Sequence, residues 1–175
     1  HVPTVAVNLS AAHFGDHSVP DYIAGLLRTY DLTPDRLTVE ITENVMMESG
    51  KATHDVLQAI RNIGVGLSMD DFGTGYSSLS YLKKFPIDVI KIDRSFIKDI
   101  PENQDDMEIT AAVIAMAHNL RLKVVAEGIE TAAQLNFLRK QKCDVGQGYL
   151  FDRPIPGRDL VERLRRYRHL TASDN

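Results

Sequence analysis

The sequence has no tryptophan and one cysteine, Cys143. A single thiol cannot form an intramolecular disulfide, so packing alone has to hold the fold, and the usage fits a reducing compartment. No apolar run approaches the roughly 20 residues of a membrane-spanning helix. The expectation is therefore a cytoplasmic protein, or the cytoplasmic portion of a membrane-attached one. An excess of basic charge is missing too. Lys and Arg total 20 against 24 Asp and Glu, a net charge of −4, which implies no broad basic surface for polymeric nucleic acid. There is no initiating Met and no signal-peptide pattern. The opening "HVPTVAVNLS" enters an apolar, β-branched run at once and reads as a cut through a domain.

What remains is an ordinary globular composition, 43% hydrophobic and 25% charged over 175 residues, enough for one sizeable core. Short Val- and Ile-rich runs alternate with longer helical patterns. The strand candidates are "VAVNL" (5–9), "LTVEIT" (37–42), "VGLSMD" (65–70), "DVIKID" (88–93), "KVVAE" (123–127) and, more weakly, "DVGQGYLF" (144–151). Between them lie "DYIAGLLRTY" behind Pro20, "THDVLQAIRNIG" ending on Gly64, "DDMEITAAVIAMAHNL", and "TAAQLNFLRKQ" with Thr131 as N-cap. "GRDLVERLRRYRHL" closes the chain. No linker interrupts the series, so it reads as one domain over 5–168 with 169–175 as a tail.

Such alternation means an α/β fold, either a doubly wound open sheet or a (β/α)8 barrel. The strand ends favour the barrel. Asn8, Glu40 with Glu43, Asp70 with Asp71, Lys91, Glu127 and Gln147 fall at the same end of successive strands. An open sheet concentrates its site at one switch point, whereas a barrel gathers residues from many strands at its C-terminal mouth. A full barrel needs eight strands and about 250 residues. Only about seven strands can be found here, so a modified, incomplete barrel is expected.

These residues, apart from Lys91, are oxygen donors, with no cluster of His or Cys beside them. That argues against thiolate or His-rich zinc and suits hard cations, Mg²⁺ or Mn²⁺. Converging carboxylates raise one another's pKa unless cations offset them. Two divalent ions are a usual device for attack of water on a phosphodiester. In "VIKID", Ile90 and Ile92 share one face, so Lys91 points to the other, where its ammonium would meet water or phosphate. Taken singly, an Asp pair before Gly is common in loops and a lone Lys is common on surfaces. Their convergence is what carries the reading.

The blocks "VNLS", "LTVEITEN", "DDFGTGYSSLSYLKKFPIDVIKIDRSFI", "VVAEGIETAAQL" and "CDVGQGYLFDRPIP" resemble, in order, the signatures of the EAL-domain family, bacterial phosphodiesterases that linearise cyclic di-GMP. The resemblance implies a modified (β/α)8 barrel with one strand running against the others. It implies metal ligands at Asn8, Glu40, Asp70, Asp71 and Glu127, with Asp70 shared by two Mg²⁺ or Mn²⁺ ions. Lys91 and Glu127 become catalytic, Lys91 contacting the attacking water. Glu43 and Glu130 support loops, and Gln147 helps bind substrate. It also implies a possible homodimer, with "DDFGTGYSSL" coupling pairing to the site, and fusion to sensory or cyclase-like domains.

The Glu-Ala-Leu tripeptide that names the family does not occur in this sequence. Its Glu is a metal ligand on the family's first strand. The expectation is that hydrolysis of cyclic di-GMP to pGpG belongs to the parent protein and that this stretch alone is weakened or inactive. The alternative is a receptor domain that binds cyclic di-GMP without cleaving it.

Overall fold

Val, Ile and Leu at every second position give each strand one face that must be buried. In the computed structural model, which describes residues 4–15, 18–48, 50–73, 82 and 84–171, that face forms the core. Val39, Ile41, Leu67, Met69, Ile90, Ile92, Val124 and Ala126 are all buried. Alternate positions of the same strands, Glu40, Ser68 and Lys91 among them, take the opposite face.

The strands are β1 (Val5–Asn8), β2 (Leu37–Thr42), β3 (Gly66–Phe72), β4 (Val89–Ile92), β5 (Lys123–Ala126) and β6 (Val145–Gly146). They stand side by side in chain order, and every neighbouring pair is parallel. The order never reverses, so there is no switch point of the doubly wound kind. The sheet curls as a half-barrel. Among the described residues there are six strands, where the sequence pattern gives about seven, and none runs against the others.

Helices make the crossovers. α1 (Val19–Thr29) joins β1 to β2, and α2 (Glu43–Glu48) with α3 (Lys51–Ile63) joins β2 to β3. α4 (Gln104–Asn119) joins β4 to β5, α5 (Ala132–Lys140) joins β5 to β6, and α6 (Gly157–Thr171) follows β6. α3 buries Val56, Leu57 and Ile60 and ends at Gly64, whose φ of 98° is the left-handed C-cap that the sequence signals. α4 starts a residue before "DDMEI", because the Asn103 side chain caps the amides of Asp105 and Asp106. At α5, Thr131 accepts from the amide of Gln134 while the Gln134 side chain accepts from the amide of Thr131, a reciprocal capping box.

β6 pairs over only two residues, although its aromatic sequence reads as a longer strand. The reason is a close crossing. A Cβ on Gly148 would stand 2.2 Å from the carbonyl oxygen of Ile129, so the chain passes tightly against that backbone rather than alongside it. Residues 74–81, most of the loop after Asp71, lie outside the described residues, as do 172–175 of the expected tail.

Candidate functional site

An irregularity in β3 organises the site. Met69 pairs with Ile90 and Phe72 with Ile92, which leaves Asp70 and Asp71 together opposite Lys91. The extra residue is a β-bulge, and Asp71 has φ = 55°, a conformation that Asp adopts more readily than most side chains. In an unbroken strand, adjacent side chains point to opposite faces. Here the bulge brings both carboxylates to one side. Ligand oxygens of Asp70, Asp71 and Glu127 all lie within 4.8 Å of one another.

Lys91 sits among these acids, only 5% exposed. Its Nζ lies 3.0 Å from Glu40 Oε1, 2.9 Å from Asp70 Oδ1 and 2.8 Å from Glu127 Oε1. Burial alone would push the ammonium toward its neutral form. Its hydrogen bonds to Glu127, Asp70 and Glu40 outweigh that and hold it above the ordinary lysine range, fully protonated at neutral pH. Burial raises the Glu127 carboxyl, and the charges of Asp70 and Glu40 add to the rise that contact with Lys91 opposes. Asp71 is also raised, by burial first and then by the charges of Asp70 and Asp93.

Glu43, Glu130 and Gln147 border this centre, and Asn8 lies on the neighbouring edge strand. Glu43, 1% exposed, accepts the amide of Gly73 on Oε2 at 2.9 Å and so holds the start of the loop after β3. Its Oε1 is buried without a hydrogen-bond partner among the described residues. Glu130 pairs with Arg94 at 2.8 Å. Gln147 is tied by its backbone, its amide to Ala126 O at 2.9 Å and its carbonyl to the amide of Ile129 at 3.1 Å. Glu127, Arg94, Glu130, Gln147 and Tyr149 line a cavity of about 210 Å³ at the edge of the cluster. Asn8 is in register with Glu40, but on the exposed edge strand β1.

Three neighbours were not foreseen. Ser68, in register with Glu40, is 2% exposed, and its hydroxyl has no partner among the described residues. Its period-2 spacing from Asp70 is a signal that the sequence does contain. Asp93 caps the short turn Arg94–Phe96 by accepting from the amide of Ser95 at 2.9 Å. Arg94 reaches across Gly128, where an added Cβ would stand 2.3 Å from Arg94 Cγ.

The donor set fits hard divalent cations. It is all oxygen, it is compact, and the raised carboxyls of Asp71 and Glu127 are those a cation would bring back down. The acids outnumber the one ammonium, so the mouth is electronegative and would repel a phosphodiester without added positive charge.

Fold and site together define a parallel β/α half-barrel with an acidic centre at the C-terminal ends of its strands. The family follows from comparison: residues 1–154 match the model of the EAL domain, and the chain belongs to the EAL-domain family. It is 52% identical over 164 residues to the cyclic di-GMP phosphodiesterase NbdA of Pseudomonas aeruginosa, covering 94% of this chain and 21% of NbdA. The solved MucR phosphodiesterase of Pseudomonas aeruginosa, in complex with cyclic di-GMP, superposes with a TM-score of 0.84 at 43% identity, over 90% of this chain and 64% of that one. Klebsiella pneumoniae BlrP1, solved with manganese and cyclic di-GMP, gives a TM-score of 0.78 at 36% identity, over 86% and 39% of the two chains. The chain thus spans about a fifth of the length of NbdA.

Proposed function

We propose that this chain carries the catalytic centre of a cyclic di-GMP phosphodiesterase, which hydrolyses the cyclic dinucleotide to linear pGpG. The observation that carries the reading is the ring of Glu40, Asp70 and Glu127 around the buried ammonium of Lys91, with Asp71 added by the bulge. Two Mg²⁺ or Mn²⁺ ions held by Asn8, Glu40, Asp70, Asp71 and Glu127 would supply Lewis-acid chemistry, making water more acidic and balancing charge on the attacking and leaving oxygens.

The chain's own groups have separable tasks. Lys91 stays protonated, so it acts as a donor and a fixed positive charge, holding water or a phosphate oxygen rather than removing a proton. Glu127, which lines the cavity and stands 2.8 Å from Lys91 Nζ, suits the general base that accepts a proton from the attacking water. Gln147 at the rim of the same cavity offers an amide to the substrate. Glu43 fixes the loop that follows Asp71.

β1 is the open edge of the sheet, with Val5 and Val7 about half exposed. The family resemblance implies a further glutamate ligand from a strand at that edge. These residues alone are accordingly proposed to be less active than with such a strand, in a parent that joins them to sensory or cyclase-like domains. Cytoplasmic placement and pairing of barrels belong to the same proposal. No helix among the described residues is long and apolar enough to cross a membrane.

The test is product analysis. The chain, and the chain extended upstream by a Glu-Ala-Leu strand, are incubated with cyclic di-GMP and Mn²⁺ or Mg²⁺. Formation of pGpG, faster in the extended form, supports the reading. Binding of cyclic di-GMP without cleavage in both forms would overturn it in favour of a receptor.

A further inference from the structure

Gln134 lies on the first turn of α5, yet it works outside the helix. It is 3% exposed. Its Oε1 accepts from the amides of Glu130 at 2.7 Å and Thr131 at 2.9 Å. Its Nε2 donates to the carbonyls of Ile97 at 3.1 Å and Lys98 at 3.2 Å. All four hydrogen-bonding positions of the amide are used, two on each side. One side is the loop that begins at Glu127. The other is the turn that follows Lys91 and Asp93.

Two further contacts brace the same pair of segments. Arg94, on the turn, pairs with Glu130 on the loop at 2.8 Å, and its stem crosses Gly128. The turn also reaches the other way. A Cβ on Gly73 would stand 2.7 Å from Phe96 Cε2, so the Phe96 ring lies against the backbone just past Asp71. The turn is a block between the loop that carries Glu127 and the end of β3 that carries Asp71, and Gln134 bolts it to the first of them. The contact it protects is short: Glu127 Oε1 to Lys91 Nζ at 2.8 Å, with the Glu127 amide on Ile92 O at 3.1 Å.

We propose that Gln134 is a positioning residue, which sets the place of Glu127 relative to Lys91 by joining the loop after β5 to the turn after β4. The inference rests on the reading of the cluster as a divalent-metal centre. A carboxylate that must share ions with neighbours from another strand tolerates only a few tenths of an ångström of drift. A capped helix end alone does not supply that restraint, whereas an amide bonded to both segments does.

Two readouts test it on the full chain. Hydrogen exchange needs no metal. In Gln134→Met, similar in volume but unable to bridge, the Glu127 amide exchanges about tenfold faster than in wild type. In Ile60→Val, a core change on α3 that leaves these bonds intact, it exchanges as in wild type. Unchanged protection of Glu127 in Gln134→Met overturns the inference. The second readout is Mn²⁺ affinity, measured well below each variant's unfolding temperature. Gln134→Met weakens it about tenfold, and Ile60→Val leaves it within about twofold. Should Gln134→Met not fold, Gln134→Glu keeps the two accepted bonds, loses both donated ones, and moves both readouts in the same direction; wild-type values in Gln134→Glu overturn the inference. Wild-type protein that binds no Mn²⁺ defeats the reading of the centre, and the exchange at Glu127 still decides whether Gln134 holds the loop.

Discussion

Asp70 and Asp71 are consecutive in the chain and stand on the same side of the sheet, both opposite Lys91. Only the bulge permits this. The arrangement places two like charges side by side and sets Asp71 at φ = 55°. Both features oppose stability and both serve an acidic centre.

Asp71→Gly separates the two roles. Gly adopts positive φ freely and removes a half-buried carboxyl that repels Asp70, so the metal-free variant gains about 1 kcal/mol. Hydrolysis of cyclic di-GMP falls at least tenfold, as for loss of a ligand group. Denaturant titration in EDTA and a product assay would report opposite signs.

Lys91→Met leaves Glu40, Asp70 and Glu127 without their shared cation. Removing one partner from a buried charge cluster costs about 3 kcal/mol in metal-free protein. Excess Mn²⁺ recovers much of this loss, because it supplies charge at the same place, whereas activity is not recovered. Urea unfolding with and without Mn²⁺ measures the first part, and pGpG formation the second.

Glu43→Ala removes the acceptor for the amide of Gly73. The start of the loop after Asp71 then loosens. The Gly73 amide exchanges faster, and turnover drops about tenfold or more. Protection at Gly73 equal to wild type would contradict the assigned role.

Asp144 lies far along the chain from these residues and provides a pH test of the fold. It accepts from His118 Nε2 at 2.9 Å and from the amide of Val124 at 2.8 Å, linking the start of β6 to α4 and β5. Burial alone would raise its carboxyl. The bonds from His118 and Val124 outweigh that and hold it below the ordinary value of 3.8. A depressed carboxyl stabilises the folded state above its unfolded pKa and loses that contribution as the pH falls through the folded one. The stability difference between wild type and Asp144→Ala is therefore full near pH 5 and shrinks below 3.8. Thermal unfolding of both proteins across that window checks the sign.

The strands were legible in the sequence because β-branched residues at every second position have one stable use. Lys91 could be assigned to its face from Ile90 and Ile92 alone. The bulge was not legible. "MDDF" contains no glycine to mark the positive φ, since Asp tolerates that conformation, and a one-residue slip leaves no periodic trace. Gln134 was hidden differently. Thr131 announces the helix start, but nothing in "TAAQL" tells that the glutamine turns away from solvent to bind Ile97 and Lys98. For β6, the aromatics of "GYLF" favour a strand, while the close approach of Gly148 to Ile129, a tertiary fact, ends it after two residues.

The proposed metal-dependent phosphodiesterase centre stands or falls on the carboxylates around Lys91. The most direct measurement compares pGpG formation from cyclic di-GMP by wild type with Mn²⁺, wild type stripped of metal, and Asp70→Ala with Mn²⁺, each with a Glu-Ala-Leu strand added at its N-terminus. Product is expected only in the first. Equal product from Asp70→Ala, or from metal-free protein, would contradict it.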